Sequence, residues 1–236
     1  MKKKSPALPK VKENHTQPED FFAVFFRNPK NNANGWKSAK AYPPGIEIFQ
    51  QDTPANNVYF IERGLVKLSC LESGGHSVII CLRRRHWLLG APAILLEKPY
   101  AYTVTTLTPC SLLTIPVKNF LRHMKMNTDF SWQLLRMLSK EIDNHGTKVI
   151  ALGIMPAKER LKKILYEMTL EQEPTVLQKQ IHLHLPLMHK ELAQLIAVTP
   201  EHLCRLLREM EQQGIIKRNK GLVVVKDPSF LLKTRS

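Results

Sequence analysis

The chain has 236 residues, with 35 Lys and Arg against 20 Asp and Glu, giving a formal charge of +15 at neutral pH. At 43% hydrophobic and 23% charged it has the composition of a globular protein with a sizeable core, which excludes a disordered chain. The basic excess argues against cationic substrates and basic partners and points to nucleic acid or an anionic membrane surface.

Residues 1–38 read as a basic, largely disordered arm rich in Lys, Pro and Asn. Its apolar run, Phe21 to Phe26 (FFAVFF), is suited to a short anchor that docks on the body. The start is basic but lacks the apolar stretch of a signal peptide. No run of about 18 apolar residues follows anywhere, so a cytoplasmic protein with no membrane partner is expected. The charge is spread: residues 1–40 hold 9 basic and 3 acidic side chains, residues 41–155 hold 12 and 8, and residues 156–236 hold 14 and 9.

Residues 39–126 are β-like. Short apolar runs (VYFI at 58–61, LVKLSCL at 65–71, SVIICL at 77–82, LLTIP at 112–116) alternate with turn clusters such as Pro43-Pro44-Gly45 and Ser73-Gly74-Gly75, a pattern that predicts a barrel or sandwich. Cys70, Cys81, Cys110 and Cys204 form no CxxC pair, so neither a metal centre nor a redox pair is expected. The first three read as small buried hydrophobes.

Residues 127–155 change period. Phe130, Leu134, Leu138, Ile142, Val149 and Leu152 fall on one stripe of a long helix that also carries His145. A seam of this length favours pairing with a second copy of the chain over burial on the β-domain. Gly153 and Pro156 end the helix, and another begins near Ala157.

Residues 156–236 are the most informative. Leu187–Ile196 predicts a short helix, Ala197 to Thr199 a turn, and Pro200–Gln213 a second helix, with Thr199 as N-cap, Pro200 at the first helical position and Gly214 at the C-terminal cap. Residues 215–218, the turn Asn219-Lys220-Gly221 and residues 222–225 predict a β-hairpin, completing a winged helix-turn-helix. Such a module lays its second helix in the major groove of double-stranded DNA. The exposed first turns carry Glu201, His202, Arg205 and Arg208 beside Thr199, while Leu203, Leu206, Leu207 and Met210 face the core. A carboxylate accepts from cytosine N4 and a guanidinium grips guanine O6 and N7, which gives Glu201 and Arg205 base-reading roles. His189, Lys190, Lys217, Arg218 and Lys220 join Arg208 as phosphate contacts that set register. The alternative for Glu201 and Arg205 is an ordinary i, i+4 surface ion pair.

The element order, together with TPEHLCRLLREMEQQGII (199–216) and YPPGIEIFQQDTPANNVYFIERGLVKLS (42–69), resembles the Crp/Fnr family of bacterial transcription regulators over roughly residues 40–228. The resemblance implies an α+β protein: a jelly-roll-like β-roll sensor related to cyclic-nucleotide-binding domains, a dimerisation helix, and a winged helix acting on an inverted-repeat operator, with RNA polymerase as a further partner. Glu201 and Arg205 match the pair with which the family reads a G·C step. The E-x-x-C-R pattern is closer to the Fnr branch, which implies TTGA-like half-sites. Pro200, Met188 and Ala197 depart from the commoner residues.

The sensing half departs more. Where the family's cyclic-nucleotide binders carry a glutamate for the ribose and an arginine for the phosphate, this chain has Gly90-Ala91-Pro92 and Tyr100-Ala101-Tyr102. A buried phosphate without its counter-charge is costly, so control by cyclic AMP is not expected. A residual effector pocket would involve Gly90, Ala91, Tyr100, Ala101 and His145, although a structural place in the helix seam is the simpler reading of His145. The arm has no cysteines for an iron-sulfur cluster, His76 and His86 sit in poor places for haem ligation, and His182, His184 and His189 read as solvent-facing rather than as a zinc site. The run Arg83 to Arg85 is either a solvated face or a patch for an anionic effector or flanking DNA. Cys204 lies in the DNA-reading helix, where oxidation would interfere. No nucleophile motif or phosphate loop appears, so no enzyme activity and no cofactor are expected. The alternative function is a small-molecule-binding regulatory subunit that acts through protein contacts. The effector stays unassigned.

Overall fold

The structure, a computed structural model, describes residues 17–32, 37–72, 74–75, 77–169, 181–219 and 222–226. The fold is α+β, with a two-sheet β-domain, a long helix and a small winged domain. One sheet joins β1 (Lys37–Tyr42), β8 (Cys110–Pro116), β3 (Asn57–Arg63) and β6 (Leu88–Leu89) in that order, and the other joins β2 (Glu47–Phe49), β7 (Thr103–Thr106), β4 (Val66–Leu71) and β5 (Ser77–Arg83). The paired strands are antiparallel. Ile61, Leu68, Val104 and Leu112 fill the space between the sheets. On β3 and β8 the neighbouring residues Val58, Phe60, Leu113 and Ile115 are buried on the other face, so these strands read as continuous apolar runs rather than as an alternation.

That other face is covered by helices. They are α1 (Pro18–Arg27), α2 (Ala91–Leu95), α3 (Val117–Met126) and the first half of α4 (Thr128–Ile154). In α1, Pro18 opens the helix and Glu19 and Asp20 sit in its first turn, where carboxylates suit the positive end of the helix dipole. Phe22, Phe25 and Phe26 recur at helical spacing and bury themselves; Phe22 meets the Phe130 ring edge-on at 5.2 Å, and Phe26 lies 4.9 Å from Phe60. Asn127 caps α4 by accepting the Phe130 N–H at 2.9 Å, which sets where that ring enters the core.

The winged domain comprises α5 (Ala157–Thr169), β9 (Ile181–His184), α6 (His189–Leu195), α7 (Pro200–Gln212), β10 (Ile216–Asn219) and β11 (Leu222–Val225). Its three strands run in the order β10-β11-β9. Leu161, Leu165, Leu192, Leu203, Leu207 and Val225 form its core, and this cluster continues into Leu65, Ile79 and Leu107 of the β-domain. Two polar ties reinforce the junction: Lys67 on β4 pairs with Glu191 on α6, and the Gln194 side chain donates to the Ser77 carbonyl at 3.0 Å. No helix among the described residues is long and apolar enough to cross a membrane.

Gly64 shows how tightly the β-domain closes. Its φ is +98°, and a Cβ there would stand 2.6 Å from both the Pro109 carbonyl oxygen and Cys110 Sγ. The aromatic anchor gives the cleaner test. Replacing the fully buried Phe22 by Ala removes a phenyl group from the centre of the α1–α4 cluster and is expected to lower stability by about 3 kcal/mol, read as a fall in the denaturation midpoint at unchanged m-value.

Candidate nucleic-acid interface

Helix α7 is aimed by its own punctuation. The Thr199 side chain accepts the His202 N–H at 3.2 Å, and Pro200 occupies the first helical position. Leu203, Leu206, Leu207 and Met210 are buried, which turns Glu201, Arg205 and Arg208 outward and leaves all three exposed. The Glu201 carboxyl is held below its usual range by hydrogen bonds from its own backbone N–H and from the Thr199 hydroxyl, so it stands ionised at the helix start. Among the described residues no ion pair joins Glu201 to Arg205. The ordinary surface pair therefore does not form here, and neither side chain is spent on the other.

The flanking positions divide. His189 and Lys190, at the start of α6, and Lys217, on β10, are exposed. His202 is half-buried. Arg218 is engaged: its Nη2 and Nε donate to Glu211 Oε2 at 2.9 and 3.1 Å, and its backbone N–H donates to Glu211 Oε1 at 3.0 Å. This fork braces α7 against the wing, so Arg218 acts as a strut, a role that its basic neighbours hid in the sequence. Lys220 lies outside the described residues, as do His76 and the side chains of His182 and His184. Cys204 is half-buried in α7.

The five residues assigned to an effector pocket are not gathered around one cavity. Tyr100 is buried, stacks on Phe49 at a ring separation of 3.9 Å, and exchanges hydrogen bonds with the Asn57 backbone; burial pushes its hydroxyl up to about 12. It presses on Gly90, where a Cβ would come within 2.8 Å of the Tyr100 ring. Ala91 is buried and Ala101 exposed. His145, on α4, lies 3.4 Å from Glu141 and lines a cavity of about 600 Å³ that none of the other four borders.

The α4 seam needs redrawing. Phe130 and Leu134 are each 1% exposed, buried in their own chain by α1 and the β-domain, and Leu138 is half-buried beside them. Ile142 and Val149 are 74% and 70% exposed, and Leu152 is 40% exposed. The free face runs through Leu135, Ile142 and Val149 at a spacing of seven, with Ser139 and Gly146 between them and Gly153 beyond Val149; a Cβ added at either glycine would meet open space. Small residues at alternate seam positions let a second helix approach closely. A heptad count keyed on small residues finds this face in the sequence, whereas a count of large apolar residues does not.

At the turn before α7, Ala197 has a φ of 51°, in the left-handed region where a Cβ is disfavoured.

Family models match twice: a cyclic nucleotide-binding domain over residues 39–127 and a Crp-like helix-turn-helix domain over residues 159–234. The chain is 26% identical over 200 residues to the global nitrogen regulator of Nostoc sp., covering 81% of this chain and 89% of that protein. It is 20% identical over 185 residues to the cAMP-activated global transcriptional regulator CRP of Salmonella typhimurium, covering 78% and 87%. Among solved structures, FixK2 from Bradyrhizobium japonicum superposes with a TM-score of 0.70 at 19% identity, covering 83% of this chain and 95% of that one. A CRP-family transcriptional regulator from Thermus thermophilus gives 0.68 at 18%, covering 81% and 94%.

Replacing Ala197 by Gly is expected to stabilise the protein by about 1 kcal/mol, seen as a higher urea midpoint, because the turn keeps its shape and loses its strain.

Proposed function

Because the chain belongs to the Crp/Fnr family of transcription regulators, we propose that it acts as a homodimer that reads an inverted-repeat operator with Glu201 and Arg205 and answers to something other than cyclic AMP. The observation that carries the reading is the outward face of α7, where Glu201, Arg205 and Arg208 are exposed and Glu201 and Arg205 are not spent on each other. Arg205 takes guanine O6 and N7, Glu201 accepts from cytosine N4, and Arg208, His189, Lys190, Lys217 and Lys220 hold phosphates. The half-sites are TTGA-like, as the likeness of E-x-x-C-R to the Fnr branch implies.

Dimerisation rests on the exposed face of α4, because Leu135, Ile142 and Val149 together form an apolar stripe of the kind that a second copy covers. Independence from cyclic AMP is supported by Ala91, Tyr100 and Ala101, none of which offers a carboxylate to the ribose or a cation to the phosphate. In this reading residues 39–126 are the sensor or a pseudo-sensor, residues 127–155 the dimerising helix and residues 156–236 the DNA-binding domain. The protein works in the cytoplasm beside RNA polymerase.

Arg205→Ala is expected to cost about 1–3 kcal/mol of operator affinity, or roughly 5- to 150-fold at fixed salt, and to relax base preference at one position of each half-site. Arg208→Ala should weaken operator and random DNA alike and reduce the salt slope by about one per protomer. Unchanged specific affinity in Arg205→Ala would assign base reading elsewhere. On α4, Ile142→Glu is expected to give monomers in sedimentation equilibrium and to lose the operator complex, whereas a dimer that survives the change uses another face.

A further inference from the structure

The cavity beside His145 is a separate feature with its own chemistry. Its walls come from the start of α1, Leu65, β5 and the turn that follows, the second half of α4, α5 from Arg160 to Met168, and Leu195 of α6. A volume of about 600 Å³ suits a small molecule and is far too small for a nucleic-acid duplex. Among the described residues seven lysines and arginines line it, against three carboxylates, Glu19, Asp20 and Glu167.

The charges fall into two groups. On the α1 side Lys140 pairs with Glu19, and His86 lies 4.0 Å from Asp20, so the carboxylates of α1 offset the cations there. On the α5 side Arg83, Arg84, Lys148 and Lys163 lie around the carboxyl of Glu167. Arg83 is also paired with Glu141, while Lys148 donates to the neutral carbonyl of Ile80 and keeps its charge uncancelled. Desolvation raises the Glu167 carboxyl despite these four cations, and it lowers Lys148. Arg160 borders the same space and is spent on backbone carbonyls, including that of Ile196 at 2.9 Å, so its charge too remains. Between the cations lie Leu82, Ala151, Leu152, Met155 and Ile164. A concave, partly apolar cleft of one sign focuses its field on whatever enters it.

We propose that this cleft is a binding site for a small molecule bearing a dense anionic group, a phosphate or paired carboxylates, on an apolar body, its anionic group held by Arg84, Lys148 and Lys163. The site is separate from Gly90, Ala91, Tyr100 and Ala101. A ligand held between Arg84, beside β5, and Lys163, on α5, ties the β-domain to the first helix of the winged domain.

The test titrates the full chain by calorimetry with pyrophosphate and, separately, with citrate, at constant ionic strength. At least one of them is expected to bind saturably at one site per chain. Arg84→Gln/Lys163→Gln, which alters two exposed positions and so spares the core, should weaken that binding by about tenfold or more. Lys163→Arg should retain it, and Arg208→Ala on α7 should leave it unchanged. The proposal is overturned if neither anion binds saturably, or if binding survives the double variant and falls in Arg208→Ala. It is equally overturned if the double variant weakens only duplex DNA, which would make the arginine run a DNA contact. Loss of operator binding in Arg205→Ala bears on the proposed function and leaves this site untouched.

Discussion

One 27-residue helix has two apolar faces, and the rest of the molecule is arranged around the need to cover both. At about 1.5 Å per residue α4 spans roughly 40 Å, longer than the β-domain can shelter. Its first half is covered from within the chain, where Phe130, Leu134 and Met137 sit among the phenylalanines of α1 and the outer face of the first sheet. Its second half leaves Ile142, Val149 and Ile154 exposed. Burying a Val or Ile side chain contributes roughly 1.5–3 kcal/mol, so a bare stripe of this size stores a large incentive to associate. The helix that organises the β-domain is therefore also the natural place for two copies to meet, and α5, which follows it after Pro156, carries the DNA-binding module.

The second organising feature is the junction between the β-domain and the winged domain. Leu65, Ile79 and Leu107 continue the core of the winged domain, and Glu191 accepts both from Lys67 and from the Met188 N–H, at 2.8 Å for the latter. A carboxylate that caps α6 and pairs with β4 links the orientation of the helix-turn-helix to the β4–β5 hairpin. The basic cleft opens beside this junction, so an anion bound there would act on the same joint. In the proposed reading the formal +15 has three uses: general attraction to DNA, phosphate contacts around α7, and a cleft unrelated to α7.

The winged domain was legible in the sequence because its boundaries are chemical. Thr199, Pro200 and Gly214 mark the limits of α7 through capping and backbone preference, which act locally. The runs read as β3, β4, β5 and β8 were legible for the same reason, between turns that only a few residue types permit. Strands β1, β2 and β7 were not: KSAKAY and TVTT carry little apolar signal and gain their places from partners roughly 35 to 75 residues away. The arm reading missed that FFAVFF forms a helix, because its stability comes from Phe130 and Phe60 rather than from propensity. The α4 stripe was legible as helical but not as two faces, since Phe130 and Ile142 share a period while burial separates them. The role of Arg218 depended on Glu211, seven residues earlier on another element, which no local pattern reveals.

The central claim is that two copies joined along α4 present two α7 helices to one face of DNA. Selection of binding sites by the full chain from a random duplex pool at fixed salt tests it most directly. The account predicts an inverted repeat of TTGA-like half-sites whose centres lie about one helical turn apart, roughly 34–36 Å. Enrichment of single half-sites, of direct repeats, or of no sequence at all would contradict it.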